Sequence, residues 1–149
     1  MQKELLKFTY EKLGWKMYTT KIKVYFYDAD PAGIIFYANL FRFAHVAFED
    51  FIRSQITHRD YFFDREYSLP VLHTEADYTR PIKAGDELLA EVFISQIRNS
   101  SFEVCCRFFQ DNLFAASTKT VHVCVSKKSF EKIPLPEELN RMLNANLIL

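Results

Sequence analysis

The chain has 149 residues, of which 49% are hydrophobic, and its nineteen basic side chains balance nineteen acidic ones. This length supports one compact domain with a real core. Zero net charge without a run of Lys or Arg argues against nucleic-acid binding and against a membrane-binding surface, and no apolar stretch approaches the length of a membrane span. Fifteen Phe and eight Tyr are many for a small core, so we expect some of them at a subunit interface or in a ligand slot.

A short N-terminal extension, residues 1–16, precedes the single domain that we expect to span residues 17–149. Apolar residues recur in the extension at a spacing that favours an amphipathic helix: Leu5, Leu6, Phe8, Leu13 and Trp15. The first residues contain no uninterrupted apolar signal region. Cys105, Cys106 and Cys124 are odd in number and lie in apolar segments, so we interpret them as reduced core residues of a cytoplasmic protein.

A sharp turn between an apolar strand and an apolar helix is the most informative part of the chain. The residue types predict a strand over 19–27 and a helix over 36–54. Pro31 and Gly33 interrupt both patterns and indicate a turn. A helix entered at this turn points free N–H groups and the positive end of its dipole back toward Asp30. Acyl transfer needs such a pairing of an acid with donors that hold an oxyanion.

The acids of this turn also have other interpretations. An Asp that precedes a helix is most often a helix cap. A calcium-binding loop would need Asp or Asn at the fifth position and Glu at the twelfth, where the chain has Ala32 and Asn39. A magnesium-dependent Asp-x-Asp phosphotransfer site would need a larger α/β domain than this chain offers. The residues alone therefore leave a helix cap and a catalytic acid open for Asp30.

The predicted helix has a wide apolar arc and a polar stripe. The core positions follow 3.6-residue spacing: Leu40, Phe43, Ala44, Ala47 and Phe51. Phe41, Phe48 and Ile52 widen the arc, which suggests that the helix contacts something besides its own sheet. His45 and Glu49 lie four residues apart, as an acid–base pair or half of a metal site would. We favour a solvated face on which nearby arginines, Arg42 and Arg53, are their ion partners.

Alternating patterns after the helix predict four strands, over residues 71–80, 88–97, 102–110 and 113–125. Turn residues separate them, with Asp111–Asn112 suited to a tight hairpin. Pro136 before Glu137 predicts the start of a C-terminal helix. One helix followed by an antiparallel meander is an α+β arrangement. His73, with its acidic neighbours, yields no metal geometry, and we interpret His122 as a satisfied core or surface residue.

The string Tyr-Asp-Ala-Asp-Pro-Ala-Gly-Ile-Ile-Phe-Tyr-Ala-Asn-Leu-Phe-Arg-Phe, residues 27–43, resembles the signature of hot-dog-fold acyl-CoA thioesterases. It is most similar to the 4-hydroxybenzoyl-CoA and 1,4-dihydroxy-2-naphthoyl-CoA thioesterase branch, and the order of elements agrees over residues 18–126. The resemblance implies an antiparallel sheet wrapped around one long helix. It also implies hydrolysis of an acyl-CoA to free acid and CoA without a metal or redox cofactor, in a dimer joined edge to edge or a tetramer.

The resemblance also implies roles for individual residues. Asp30 is the nucleophile or the base that activates water, the backbone N–H of Tyr37 polarises the thioester carbonyl, and Gly33 lets the chain approach the acyl group. Glu49 is a reserve catalytic acid, because some hot-dog enzymes place a glutamate on this helix. A slot lined by aromatic residues, among them Phe36, Phe41 and Phe48, favours a flat aromatic acyl group.

Alternatives remain open for the CoA contacts and for the function. Arg98, Asn99 and Ser100 lie where related thioesterases place polar groups near the CoA phosphates, and they read equally well as a plain hairpin turn. The substrate could instead be a short or branched acyl-CoA, or an acyl carrier protein thioester. A hot-dog dehydratase or hydratase would need a His in the slot. A non-catalytic acyl-CoA-binding protein would keep the slot without a working acid.

Overall fold

A computed structural model describes residues 17–63 and 65–148. The N-terminal extension and the helix predicted in it lie outside the described residues. The described elements are β1 (Tyr18–Lys23), α1 (Asn39–Gln55), β2 (Tyr67–Ser68), β3 (Val71–Tyr78), β4 (Glu87–Ile97), β5 (Ser101–Gln110), β6 (Leu113–Val123), β7 (Val125–Ser126) and α2 (Glu137–Ala145). The predicted α+β class is confirmed.

The main sheet has five antiparallel strands in the order β1-β4-β5-β6-β3. The prediction of a simple meander is therefore correct only for β4, β5 and β6, because β3 pairs with β6 instead of with its successor β4. The connection between β3 and β4 explains this order. It crosses the end of the sheet, where Ile35 N–H donates to the Ile82 carbonyl at 2.8 Å and Val24 N–H donates to the Asp86 carbonyl at 2.9 Å. The strand β3 is left at one edge of the sheet.

The helix α1 packs against the concave face of this sheet, and its predicted core stripe is buried. Phe48 and Ile52 are also buried, with 3% and 0% of their surface exposed. The helix also contacts more than its own sheet, as its wide apolar arc suggested, because the Phe48 ring lies 6.5 Å from that of Phe62 in the connector after α1. The curled sheet covers more of the helix than one flat face would, since the Phe48 ring lies 6.2 Å from Phe102 and 4.6 Å from His122. Phe41 is half-buried.

Several local predictions are confirmed. Asp111 and Asn112 adopt φ values of 47° and 64°, as a two-residue hairpin requires. The helix α2 begins at Glu137 and buries its apolar side against the core. The three cysteines are free and buried, and burial raises the pKa of each thiol. Within the part of the chain that the structure describes, no helix is long and apolar enough to cross a membrane.

Candidate active site

A buried carboxylate anchors the turn that leads from β1 to α1. Asp28 is only 1% exposed. Its Oδ2 accepts a hydrogen bond from the Tyr25 N–H at 2.8 Å, and its Oδ1 forms an ion pair with the guanidinium of Arg42 from the first turns of α1. Because a buried charge needs both a counter-ion and hydrogen bonds, these contacts hold the turn in one conformation.

The backbone of Asp28 explains why both neighbouring elements are shorter than predicted. Its carbonyl accepts hydrogen bonds from the Phe36 N–H at 2.9 Å and from the Asn39 side-chain amide at 2.8 Å. Residues 26–28 form a short 3₁₀ helix, so β1 ends at Lys23 rather than at residue 27. The N–H bond of Phe36 is directed across the turn, and α1 begins at Asn39 rather than at residue 36.

Asp30 lies two residues further along this turn and is less enclosed than Asp28. Its Oδ1 accepts the Ala32 N–H at 2.8 Å, and its carbonyl accepts the Gly33 N–H at 3.0 Å. Gly33 has a φ of +79°, a left-handed conformation that side chains disfavour. Among the described residues nothing hydrogen-bonds Asp30 Oδ2, so one carboxylate oxygen is available to a substrate or a water.

The peptide at Tyr37 offers a donor at the start of the helix. The N–H groups of the next turn are used locally: Asn39 donates to the Phe36 carbonyl at 2.8 Å, and Leu40 donates to the Tyr37 carbonyl at 3.3 Å. The Tyr37 N–H makes no hydrogen bond within residues 17–63 and 65–148. Tyr78 steadies this peptide, because its hydroxyl donates to the Tyr37 carbonyl at 2.5 Å. Burial raises the pKa of Tyr78, so the hydroxyl stays protonated at neutral pH.

Exposed aromatic side chains surround the turn. Phe26 is 91% exposed and Tyr27 is 75% exposed, while the Phe36 and Tyr37 rings lie 4.8 Å apart at the surface. Large exposed apolar patches of this kind mark surfaces that a ligand or another subunit covers. Part of the aromatic excess in the composition is therefore located beside Asp30, as the sequence predicted for a slot or an interface.

A cavity of about 100 Å³ lies between α1 and the sheet. Two of the three predicted slot residues, Phe41 and Phe48, line it, whereas Phe36 belongs to the exposed aromatic patch beside Asp30. Thr118 and His122 line the cavity from β6. The cavity thus extends along the first three turns of α1, starting about one turn from Tyr37.

Other predicted site residues lie away from Asp30 in the same protomer. Glu49 is ten residues into α1, about 15 Å along the helix axis from its first residue. It pairs with His45 at 3.1 Å and with Arg53 at 3.8 Å, as predicted for a solvated face, whereas Arg42, the other predicted partner, pairs with Asp28 instead. Arg98 belongs, with Asn99 and Ser100, to the β4–β5 turn, roughly 35 Å along β4 from the Asp30 corner.

Sequence reasoning missed several residues that shape this site. Asp28 and Asp30 are the same residue type two positions apart. Only the burial of Asp28 beside Arg42 shows that Asp28 anchors the turn and that Asp30 is the available carboxylate. Tyr78 and Thr118 were also missed, because both are ordinary strand residues by type. No group of three or more His, Cys, Asp or Glu residues in the described ranges could hold a metal ion.

Comparisons with known proteins agree with this architecture. A family model described as the thioesterase-like superfamily matches residues 24–143. A 1,4-dihydroxy-2-naphthoyl-CoA hydrolase from Prochlorococcus marinus subsp. pastoris is 36% identical over 134 residues, which are 86% of this chain and 89% of that protein. The 1,4-dihydroxy-2-naphthoyl-CoA hydrolase of Nostoc punctiforme is 31% identical over 130 residues, with 87% and 88% covered.

Solved structures give the same result. The crystal structure of a 1,4-dihydroxy-2-naphthoyl-CoA thioesterase from Synechocystis matches with a TM-score of 0.77 at 25% identity, covering 87% of this chain and 96% of that chain. An antiparallel sheet wrapped around α1, shared with this structure, makes the protein a hot-dog-fold thioesterase. The chain belongs to the thioesterase-like superfamily, and the fold and activity expected from the resemblance of residues 27–43 are confirmed.

Proposed function

We propose that the protein hydrolyses an aromatic acyl-CoA thioester of the hydroxybenzoyl or dihydroxynaphthoyl type, with the Asp30 carboxylate as nucleophile or base and the Tyr37 N–H as the oxyanion donor. One observation carries the proposal. The turn anchored by Asp28 presents a carboxylate oxygen and a backbone N–H that both lack partners among the described residues. A hydrolase needs these two functions at the scissile carbonyl.

The chemistry has two routes that use the same groups. In one, Asp30 attacks the thioester carbon, the C–S bond breaks, CoA leaves as a thiolate that takes up a proton, and water hydrolyses the resulting anhydride. In the other, Asp30 removes a proton from a water that attacks the carbon directly, the C–S bond then breaks, and CoA leaves as a thiolate that takes up a proton. In both routes negative charge develops on the thioester oxygen, where the Tyr37 N–H and the positive end of the α1 dipole stabilise it.

An aromatic acyl group suits the surroundings of Asp30. The turn is bordered by exposed rings such as Phe36, and the cavity beside α1 is lined by Phe41 and Phe48. Aromatic rings bury large areas and prefer offset or edge-to-face contact with other rings. The relatives described above, which are named for a dihydroxynaphthoyl substrate, support the same acyl class for this chain.

We further propose that two protomers join through β3. Seven of the eight residues of β3 are exposed, and the strand leaves one edge of the sheet unpaired within the described protomer. An unpaired, exposed edge of this length is a template for another strand. The exposed ring pair Phe36–Tyr37 lies near the Tyr78 end of this edge, because Tyr78 bonds Tyr37. A tetramer of such dimers is the larger assembly that the resemblance implies.

This assembly gives the β4–β5 turn a role in binding CoA. Antiparallel pairing of β3 with its copy places the Tyr78 end of one strand beside the Val71 end of the other. Within each protomer Val71 pairs with His122, which pairs with Phe102 next to the turn. Arg98 of the partner subunit would then lie at the same end of the joined sheet as Asp30. We propose that it contacts the CoA phosphates there, together with the neighbouring Asn99 and Ser100.

Sedimentation velocity tests the assembly. At micromolar concentration we expect a dimer or a tetramer, because a monomer would leave the β3 edge and the aromatic patch in water. A folded monomer at that concentration would contradict the proposed assembly and the CoA contacts that depend on it.

We also propose that the protein acts in the cytoplasm, since its three cysteines are unpaired and a reducing compartment keeps them so.

A substrate comparison tests the acyl class. We expect 4-hydroxybenzoyl-CoA or 1,4-dihydroxy-2-naphthoyl-CoA to have a higher kcat/KM than palmitoyl-CoA, because a rigid ring loses little rotational freedom on binding whereas a long chain loses much. The rate of CoA thiol release is measured for all three substrates under identical conditions. A clear preference for palmitoyl-CoA would refute the aromatic assignment and leave the thioesterase activity in place.

A further inference from the structure

The cavity beside α1 contains a polar group that no contact in the described protomer explains. Thr118 is 2% exposed, and its hydroxyl has no hydrogen-bond partner within residues 17–63 and 65–148. A buried hydroxyl without a partner is costly and uncommon in folded proteins. Thr118 lines the cavity, so the open space in front of it is where a partner would be placed.

Thr118 lies on the strand that runs from the Tyr37 end of the sheet along the cavity. Tyr78, which bonds the Tyr37 carbonyl, pairs with Ala116 in the sheet. Thr118 is the next residue on the same face of β6, about 7 Å further from that end. An aromatic ring that extends from a carbonyl at Tyr37 in the direction of the cavity would have its far side toward Thr118.

The wall formed by His122 suits a neutral ring. His122 stacks on Phe48 and Phe102, with ring centroids 4.6 and 5.3 Å away. Its Nδ1 lies 3.0 Å from the Leu69 carbonyl, and since a carbonyl only accepts, Nδ1 carries a proton and donates. Burial lowers the pKa of His122 to about 4, so the imidazole is uncharged at neutral pH. The His122 wall of the cavity is therefore uncharged.

The size and access of the cavity also fit one ring. Its volume of about 100 Å³ is of the same order as the cavity of roughly 150 Å³ that admits benzene in another protein. Val71 and Thr74, on the wall formed by β3, are exposed, so the cavity reaches the surface at the free edge of the sheet.

We propose that this cavity is the acyl-ring subsite and that the Thr118 hydroxyl hydrogen-bonds a hydroxyl group on the ring. The inference rests on the proposed function. It assigns to Thr118 the discrimination between a hydroxylated aromatic acyl group and its unsubstituted analogue. A site built to bond a substrate hydroxyl discriminates strongly against the analogue that lacks it, because the buried protein group is then left unpaired.

The test compares 4-hydroxybenzoyl-CoA with benzoyl-CoA on Thr118→Val, a change that removes the hydroxyl and nearly keeps the shape. We expect the ratio of the two kcat/KM values to fall by roughly 10- to 100-fold, mainly through loss of the hydroxylated substrate. Thr118→Ser, which keeps the hydroxyl, should retain most of the ratio. Thr120→Val is the control within the same cavity wall: the Thr120 hydroxyl already has a partner 3.4 Å away in Thr74, so the ratio should fall much less than for Thr118→Val.

Binding separates this inference from the proposed function. The dissociation constants of both thioesters are measured by calorimetry on Asp30→Asn and on the Asp30→Asn, Thr118→Val double variant. The subsite is supported if Asp30→Asn binds 4-hydroxybenzoyl-CoA more tightly than benzoyl-CoA and the double variant binds the two equally. This result would stand even if the wild-type protein hydrolysed neither thioester and the proposed function failed. The subsite is overturned if wild type and Thr118→Val discriminate equally, or if Asp30→Asn binds the two thioesters equally well. If Thr118→Val does not fold, the same comparison is made with Thr118→Ala.

Discussion

Replacing Asp30 with asparagine is expected to lower kcat for thioester hydrolysis by at least about 10²-fold, the usual effect of losing an acid–base group. Asparagine keeps the size of the side chain, and its amide oxygen still accepts the Ala32 N–H that Asp30 holds at 2.8 Å. The turn should therefore keep its shape, while the group that attacks the carbonyl or activates water is lost. Thiol release under saturating acyl-CoA measures the effect.

Two measurements show that the loss of turnover arises in the chemical step and not from misfolding or weaker substrate binding. The melting temperature and the dissociation constant for the acyl-CoA should stay close to those of the wild type. Asp111→Asn is the matched control, because Asp111 is an exposed acid in a hairpin whose left-handed backbone asparagine adopts readily. Near-normal turnover by Asp30→Asn would remove Asp30 from the mechanism, and Glu49→Gln would be the next variant to measure.

Replacing Asp28 with alanine should instead lower stability. The change leaves the Tyr25 N–H without its acceptor and Arg42 without its counter-ion. A buried group left unpaired costs about 1–3 kcal/mol. Since the Arg42 side chain is 47% exposed and regains water, we expect a loss within this range rather than the larger loss of a fully buried pair. Urea denaturation at fixed protein concentration gives the free energy of unfolding.

Asp60→Ala provides the control for the Asp28 prediction. Asp60 pairs with Arg53 at 3.1 Å, but both side chains are about half exposed. Surface ion pairs contribute about 0–1 kcal/mol, so this variant should be close to the wild type. Equal destabilisation by the two changes would contradict the role of Asp28 as the anchor of the turn. We also expect Asp28→Ala to reduce kcat, because the position of Asp30 depends on that anchor.

Much of the fold was predictable because its periodicities are strong. The core stripe of α1 follows helical spacing, and β4, β5 and β6 lie within two residues of their predicted bounds. The pairing of β3 with β6 was not predictable from the same patterns, since alternation shows which side chains share a face but not which strands are neighbours. β2 and β7, with two residues each, are too short to produce a pattern.

The candidate site was predictable only in part. The acid, the turn and the start of the helix follow from Asp30, Pro31 and Gly33, whose residue types restrict the backbone or carry the charge. The anchoring role of Asp28 depends on Arg42, fourteen residues away, and that contact exists only in the folded chain. The unpartnered hydroxyl of Thr118 is likewise a result of packing between α1 and β6.

The central claim is that the protein breaks an acyl-CoA thioester with water. It is tested most directly by incubating the wild-type protein with 4-hydroxybenzoyl-CoA in ¹⁸O-labelled water and analysing the products by mass spectrometry. The account predicts equal amounts of free CoA thiol and free acid, with label from the water in the carboxylate, formed well above the spontaneous rate. Recovery of the intact thioester, either unchanged as for a binding protein or altered only in its acyl group as for a hydratase, would contradict it.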